Sequence, residues 1–239
     1  INASVAHKIV YIIHAPYTKP SRHYMIGSQL IDAVRRAEAD KIVIFDTYNS
    51  YFRQDRRGML EREPVTARIV IEGYENAGCN GIYTLHAHFK QIEGFGKSVI
   101  NIPLVGELAE YVKESYKNID PSDFIVSPVD EGGQKDAERF AECLGTDCLT
   151  AKKQRIGVDK TTGFRIYGDA ELKPYIFIPD DIIGTGNSVR GTARALKELY
   201  AKKGKEIKPG NGWRTGAIMR LFYVLIALKF LQIVFQRHQ

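Results

Sequence analysis

Short apolar runs alternate with amphipathic stretches along the chain, and this alternation predicts an α/β fold. Residues 8–13 and 41–45 are rich in β-branched and aromatic side chains, which is typical of buried strands. Between them, residues 27–39 carry apolar side chains at helical spacing. A helix over 64–77 and a strand over 81–85 continue the alternation. Strand, helix and strand in this order predict a βαβ unit and a parallel sheet.

The same rhythm restarts after Pro103 and predicts a second α/β half. Helices are expected over 106–116 and 133–144, and strands over 124–127 and near Cys148. A further strand, buried on both faces, is expected over 175–178 and leads into a last helix that begins at Ser188. We therefore predict two domains, over residues 1–104 and 105–210, followed by a different tail over 211–239.

The predicted tail differs from the two domains because it contains one long apolar run. Residues 217–235 are almost wholly apolar and are interrupted only by Arg220, Lys229 and Gln232. A central charge costs about 2.5–3.5 kcal/mol in a membrane helix, whereas each large aliphatic side chain returns about 0.3–0.6 kcal/mol. We therefore predict an apolar C-terminal helix that packs on the protein or on a partner, and consider a membrane anchor the less favoured alternative.

Charge and cysteine content restrict the class of partner and the compartment. The net charge is +6, but residues 201–239 contain eight Lys or Arg and one acid, which leaves the first 200 residues close to neutral. A nucleic-acid surface is therefore not expected. The chain has three cysteines, an odd number without a C-x-x-C pair. This pattern favours neither a disulfide framework nor a zinc site and predicts a reducing, cytoplasmic location.

The segment over 180–188 carries the clearest chemistry, because it joins a predicted strand end to a helix start. Two acids begin the segment, and a loop rich in glycine and hydroxyl groups ends it. The loop can aim backbone N–H groups and a helix dipole at a phosphate, while the acids can hold a sugar diol or Mg²⁺. We predict a ribose 5-phosphate site formed by Asp180, Asp181, Thr185, Gly186, Asn187 and Ser188. An ordinary strand-to-helix turn is the alternative.

Three other segments at strand ends could bind anions. The 48–57 loop mixes aromatic residues with arginines, so Arg53, Gln54 and Asp55 could hold a nucleotide, although its composition fits a solvated loop equally well. Asp130 precedes two glycines, a pattern suited to Mg²⁺ and a diphosphate. The cations Lys152, Lys153 and Arg155 are expected on a mobile loop.

A histidine pair completes the candidate chemistry. His86 and His88 follow the strand over 81–85 and would point to one face if that strand continued. Such a pair can bind a metal or stabilise a transferring phosphoryl group, whereas a His-x-His without a third ligand is more often structural.

Taken together, these motifs resemble the ribose-phosphate diphosphokinase family over about residues 5–204. Tyr48-x-x-Tyr51-x-Arg53-Gln54-Asp55-Arg56 is similar to its ATP loop, and the segment from His88 to Phe95 is similar to its catalytic histidine segment. The remaining matches are the diphosphate loop from Asp130, the Lys153-x-Arg155 pair and the phosphoribosyl motif over 180–188. The resemblance implies two tandem phosphoribosyltransferase-like (Rossmann-like) domains, here in truncated form.

The resemblance also implies an activity: transfer of the diphosphoryl group of Mg·ATP to the anomeric hydroxyl of ribose 5-phosphate, by a cytoplasmic homo-oligomer. His88, Lys153 and Arg155 would be catalytic, and His88 and Asp130 would be the Mg²⁺-linked residues. Gly184 stands where the family usually carries an acid, and both ends of the chain differ from the family. Two alternatives therefore stay open: a non-catalytic regulatory subunit, and a phosphoribosyltransferase that consumes phosphoribosyl diphosphate.

Overall fold

A computed structural model describes residues 1–15, 19–58, 62–154, 163–167, 171–182 and 186–204. The chain divides between Pro103 and Leu104 into two compact units. Each unit is an α/β structure, in agreement with the predicted fold class.

The first unit contains a parallel sheet in the order β1-β2-β3-β4. Its strands are β1 Ile9–His14, β2 Lys41–Asp46, β3 Gly81–Leu85 and β4 Val99–Ile102. Two crossover helices, α1 Pro20–Arg36 and α2 Thr66–Ala77, bury one apolar face each against the same side of the sheet. The periodicity predicted β1 to β3 to within one residue at each end.

Helix α1 begins seven residues before the predicted start of the segment over 27–39. Pro20 occupies the first turn, where its missing N–H costs nothing, and Lys19 before it has a positive φ of 49°. The first turn is polar and partly exposed, so the apolar spacing begins only once the helix reaches the sheet. Strand β4 was missed because it has four residues, of which only Val99 and Ile102 are buried.

The second unit is built around a short parallel pair, β5 Phe124–Val126 and β8 Tyr175–Phe177. Cys148 forms a parallel bridge with Val126 on the other side of β5, which accounts for the strand predicted there. Helices α3 Val105–Ser115 and α4 Gln134–Leu144 pack together. Helix α5 Asn187–Lys202 packs through Leu196 and Tyr200 against Ile125.

Two predictions for this unit were wrong. Lys152 and Lys153 were expected on a mobile loop, but they lie in β6 Thr150–Gln154, which pairs antiparallel with β7 Gly163–Tyr167. Residues 150–154 contain one apolar side chain, Ala151, so the segment lacks the apolar alternation that predicts a strand. Strand β8 was expected to be buried on both faces, yet all three of its residues are only half-buried.

The apolar helix predicted over 217–235 lies outside the described residues, as do Arg155 and Thr185. Within the described ranges, no helix has the length and apolar character needed to cross a membrane. All three cysteines are free thiols, and Cys79 is buried.

Helix α2 offers a matched test of the core in the first unit. Ile71 is fully buried among the core residues, whereas Ile69 on the same helix is 51% exposed. Ile71→Ala should lower the free energy of unfolding by about 2–5 kcal/mol, because it leaves a cavity. Ile69→Ala should change it by less than about 0.5 kcal/mol. Urea unfolding followed by circular dichroism measures both, and equal losses would contradict this packing.

Candidate functional site

Buried polar residues mark the carboxyl edge of the sheet in the first unit. His14, Asp46 and Thr84 occupy one row across β1, β2 and β3, and all three are buried. The backbone N–H of Thr47 donates to the His14 carbonyl oxygen at 2.9 Å, so the chain leaves β2 still joined to β1. This edge is where open α/β sheets bind their ligands.

The 48–57 loop leaves this edge and is fixed at several points. Residues Ser50–Arg53 form a short 3-10 helix, and Asn49 caps it by accepting the Tyr51 N–H at 3.1 Å. Phe52 is 2% exposed and belongs to the core. At the far end, the Ala67 N–H in the first turn of α2 donates to the Gln54 carbonyl oxygen at 3.2 Å. The loop backbone is therefore attached to the sheet, the core and a helix start.

The side chains predicted to bind ATP lie on this fixed backbone. Arg53 and Gln54 are exposed, and Asp55 is mostly buried, with its side chain 18% accessible. Arg56 lies 3.8 Å from Asp55 (Nε to Oδ1). An exposed guanidinium and amide on a rigid turn can pair with phosphate and with a base edge.

His86 and His88 do not point to one face of a strand, because the strand over 81–85 does not continue through them. Strand β3 ends at Leu85, and His86 has a positive φ of 47°, so the chain turns out of the sheet there. The His86 N–H still donates to the Ile102 carbonyl oxygen at 2.7 Å. His88 is exposed, ahead of the 3-10 helix Lys90–Phe95. His88 is thus presented to solvent by a loop after β3.

In the second unit, the turn after β5 is organised around Asp130. The Ser127 N–H donates to the Phe177 carbonyl oxygen at 2.8 Å, which extends the pairing of β5 with β8. Asp130 Oδ1 accepts the Gly133 N–H at 3.0 Å and so closes the turn that begins α4. A Cβ on Gly132 would meet that Oδ1 at 3.2 Å. A side chain at residue 132 would therefore crowd Oδ1 of Asp130, which is the oxygen that closes the turn.

Asp180 and Asp181 follow β8 as an interacting carboxyl pair. Both are half-buried. Burial and the neighbouring Asp181 carboxyl raise the pKa of Asp180 to about 7, while the backbone N–H groups of Ile182 and Asp181 oppose the shift. One proton can therefore be shared by the pair near neutral pH. Two adjacent carboxyls of this kind can accept hydrogen bonds from a vicinal diol.

Helix α5 begins close to this pair in sequence and presents its amino end. Gly186 is the N-cap residue, in a left-handed conformation with φ 74°, and has no side chain to occupy the first N–H groups. Asn187 and Ser188 are exposed in the first turn, which contains no acid. Arg190 adds a cation, with Nε 3.5 Å from the Gly186 carbonyl oxygen. The helix dipole and Arg190 both favour an anion here.

Thr192 connects the two turns of this unit. Its Oγ1 lies 2.6 Å from the Val129 carbonyl oxygen and 3.0 Å from the Ser188 carbonyl oxygen. The side chain is fully buried. Thr192 therefore fastens α5 to the residue before Asp130.

Gln134 holds the strand that carries Lys153. Its Oε1 accepts the Ala151 N–H at 3.0 Å, and its Nε2 donates to the Leu149 carbonyl oxygen at 3.2 Å. The first residue of α4 is thus clamped to the start of β6.

Sequence patterns did not indicate Thr192, Gln134, Arg190 or the Asp46–Asn49 pair as site residues. Thr192 and Gln134 contact residues distant in the chain. Arg190 and the Asp46–Asn49 pair make contacts over three or four residues, and no sequence pattern marks those contacts. The only sequence feature that indicates a contact of Thr192 is its position four residues after Ser188, which places the two on the same face of a helix.

The described residues contain no group of three or more His, Cys, Asp and Glu side chains arranged for a metal. The carboxylates of Asp130 and of the Asp180–Asp181 pair nevertheless fit Mg²⁺, because this ion usually takes one or two protein carboxylates and completes its shell with water and phosphate. His88 is a poorer ligand for so hard a cation.

Comparison with known proteins gives consistent results for sequence and fold. Residues 1–78 match the model of the N-terminal domain of ribose phosphate pyrophosphokinase. A ribose-phosphate pyrophosphokinase from Staphylococcus haemolyticus is 35% identical over 197 residues, which are 81% of this chain and 60% of that protein. A second, from Staphylococcus saprophyticus, is 36% identical with the same coverage.

The crystal structure of phosphoribosylpyrophosphate synthetase from Mycobacterium smegmatis aligns with a TM-score of 0.71 and 28% identity, over 82% of this chain and 63% of that one. The chain thus spans about 60% of the length of the relatives it matches. In sequence and in fold, the chain is similar to the ribose-phosphate pyrophosphokinases.

Proposed function

We propose that the chain is a ribose-phosphate diphosphokinase, which makes phosphoribosyl diphosphate and AMP from ribose 5-phosphate and Mg·ATP. The observation that carries the proposal is the sequence of groups after β8: a coupled carboxyl pair followed by the open amino end of α5. A pentose phosphate has a diol and a phosphate at its two ends, so it matches both groups. Similarity to the ribose-phosphate pyrophosphokinases and the ATP-loop motif favour synthesis at this site.

Each predicted residue has a role in this reaction. The Asp180 and Asp181 carboxyls hold the ribose hydroxyls, and Thr185, Gly186, Asn187 and Ser188 bind the 5-phosphate. Arg53, Gln54 and Asp55 bind ATP. These assignments treat the two units as the tandem phosphoribosyltransferase-like domains, residues 1–104 and 105–210.

The anomeric oxygen attacks the β-phosphorus of ATP, the bond from that phosphorus to the α,β-bridging oxygen breaks, and AMP leaves. His88, Lys153 and Arg155 donate hydrogen bonds to the charge that builds up on the transferring group. Bound near Asp130, Mg²⁺ would neutralise the charge of the triphosphate. We further expect a cytoplasmic homo-oligomer, as the family resemblance implies.

The direct test is AMP release, followed by a coupled assay. AMP should appear only when Mg·ATP and ribose 5-phosphate are both present. Asp181→Asn should lower kcat/KM for ribose 5-phosphate by about 10- to 100-fold, because a hydrogen bond to a charged group is lost. Lys153→Ala should lower kcat instead, since that cation acts on the transferring group.

Asp147→Asn is the matched control, because Asp147 is an exposed acid outside both sites. It should leave the rate unchanged. A folded wild-type chain that binds both substrates and releases no AMP would refute the proposed activity. Activity equal to wild type in Asp181→Asn and Lys153→Ala would show that the reaction occurs elsewhere.

The carboxyl pair predicts a pH dependence for ribose 5-phosphate binding. Because the pKa of Asp180 is raised to about 7, the group is largely protonated below this value and ionised above it. A carboxylate accepts hydrogen bonds from a diol better than a neutral acid, so the affinity should rise several-fold as the pH increases from about 6 to about 8.

Calorimetric titration of wild type and Asp180→Asn measures this effect. The phosphate of the ligand also titrates in this range, but it does so equally with both proteins. The ratio of their affinities should therefore change with pH, and a constant ratio would exclude Asp180 as the titrating group.

A further inference from the structure

A buried polar pair lies behind the exposed side chains of the 48–57 loop. Asp46, the last residue of β2, is fully buried, and Asn49 is 7% exposed. Asn49 Nδ2 donates to Asp46 Oδ2 at 2.7 Å, while Asn49 Oδ1 accepts the Tyr51 N–H at 3.1 Å. A single amide thus joins the end of the central strand to the first turn of the 3-10 helix Ser50–Arg53.

Asn49 is the hydrogen-bond donor to Oδ2 of Asp46, whereas the buried Oδ1 has no partner with full hydrogen-bond geometry. Tyr74 of α2 brings its hydroxyl to the carboxyl and favours its charged form, although the contact lacks the geometry of a full hydrogen bond. The ring of Tyr74 fits only because α1 has Gly27 there, where a Cβ would lie 2.8 Å from the hydroxyl oxygen. His14 and Thr84 are the neighbours of Asp46 on β1 and β3.

These neighbours supply little charge. Burial lowers the pKa of His14, and its Nε2 donates to the His23 carbonyl oxygen at 3.0 Å, so His14 is neutral near pH 7. Tyr24 of α1 contacts the Tyr74 ring at 5.6 Å between centroids. Burial raises the pKa of Asp46 to about 7, and Asn49 and Tyr74 oppose the shift. Asp46 therefore depends on hydrogen bonds from uncharged groups.

We propose that Asp46 and Asn49 are positioning residues for the nucleotide loop, and that their hydrogen bond sets the direction in which Arg53 and Gln54 face ATP. The proposal rests on the function proposed above for that loop. Burying a carboxyl group without a cation is costly, and an apolar pair could fill the same volume. An apolar pair would not fix the orientation of the loop, whereas a hydrogen bond is directional and does fix it.

The loop geometry shows where this direction is needed. Phe52 anchors the 3-10 helix in the core, but one anchor leaves the helix free to rotate about it. Asn49 fixes the start of the helix, and the bond from the Ala67 N–H to the Gln54 carbonyl oxygen fixes its end. Arg53 lies between these two points. Without the Asn49 side chain, the start of the helix would be held by Phe52 in the core and by the 2.6 Å contact of the Tyr51 hydroxyl with Ser21 Oγ, and neither of these contacts is a hydrogen bond to β2.

Exchange of the two residues gives the sharpest experiment. Asn49→Ala removes the link, so trypsin should cleave after Arg53 about 5- to 10-fold faster, and the Kd for ATP should rise by about the same factor. Asn49→Asp keeps the Tyr51 cap but sets two carboxyls face to face. Because both cannot ionise at this distance, the protein should resemble wild type near pH 5.5 and Asn49→Ala near pH 8.5.

The double variant Asp46→Asn/Asn49→Asp restores the hydrogen bond with donor and acceptor reversed. It should recover the slow cleavage and the ATP affinity at both pH values. Asn80→Ala is the matched control, since Asn80 Oδ1 also accepts a backbone N–H, that of Ile42 at 2.7 Å, away from the loop. Asn80→Ala should affect stability and leave the cleavage after Arg53 and the ATP affinity unchanged.

Each outcome decides the proposal. If Asn49→Ala behaves like wild type, or if the double variant behaves like Asn49→Ala, the pair does not position the loop. Recovery in the double variant supports positioning, because general loss of packing would not be reversed by an exchange. Should the wild type bind ATP without releasing AMP, the proposed activity fails while the proteolysis and affinity measurements still test the positioning role.

Discussion

Parallel pairing of the strands is the constraint on which the arrangement of the first unit and of the β5–β8 pair depends. Parallel strands cannot be joined by a tight turn. Each pair therefore needs a crossover segment that returns the chain to the end of the sheet where the previous strand began. In the first unit this requirement gives α1 and α2 their places between β1, β2 and β3. All loops that follow the strands then leave from the same edge. Residues far apart in the chain, such as Asp46 and His86, are brought to that edge by the topology alone.

The same edge accounts for where polar groups are buried. The buried polar and charged residues of the described chain are His14, Asp46, Thr47, Asn49, Thr84, Ser127 and Thr192. Six of them lie at or just after the end of a strand, and Thr192 bonds to the turn after β5. Burying such groups costs free energy unless their hydrogen bonds are satisfied. That cost is concentrated where loops must be held in place, and the rest of each core is apolar.

Several elements could be predicted from the sequence because their signal is local. Strands β2 and β3 are continuous apolar runs, and α4 has a strong apolar stripe, so their boundaries were correct to within one residue. Hairpin β6–β7 was missed because its pairing joins segments on either side of a charged stretch, and strand pairing is not visible in either segment alone. The candidate segments that begin at residues 48, 86, 130 and 180 do follow strand ends, whereas Lys152 and Lys153 lie within β6. The groups that hold them, Asn49, Gln134 and Thr192, were not identified, since their partners lie in other elements.

Thr192 shows how such a contact can tie two turns together. Its hydroxyl bridges the carbonyl oxygens of Val129 and Ser188, so the turn that carries Asp130 and the first turn of α5 share one buried donor. Because Ser188 and Thr192 both belong to α5, separation of the two turns would leave the Val129 carbonyl oxygen without this partner, at a cost of about 1–3 kcal/mol. Movement of both together keeps the contact. The amino end of α5 and the acidic turn after β5 are therefore held in one arrangement by a buried contact within the unit.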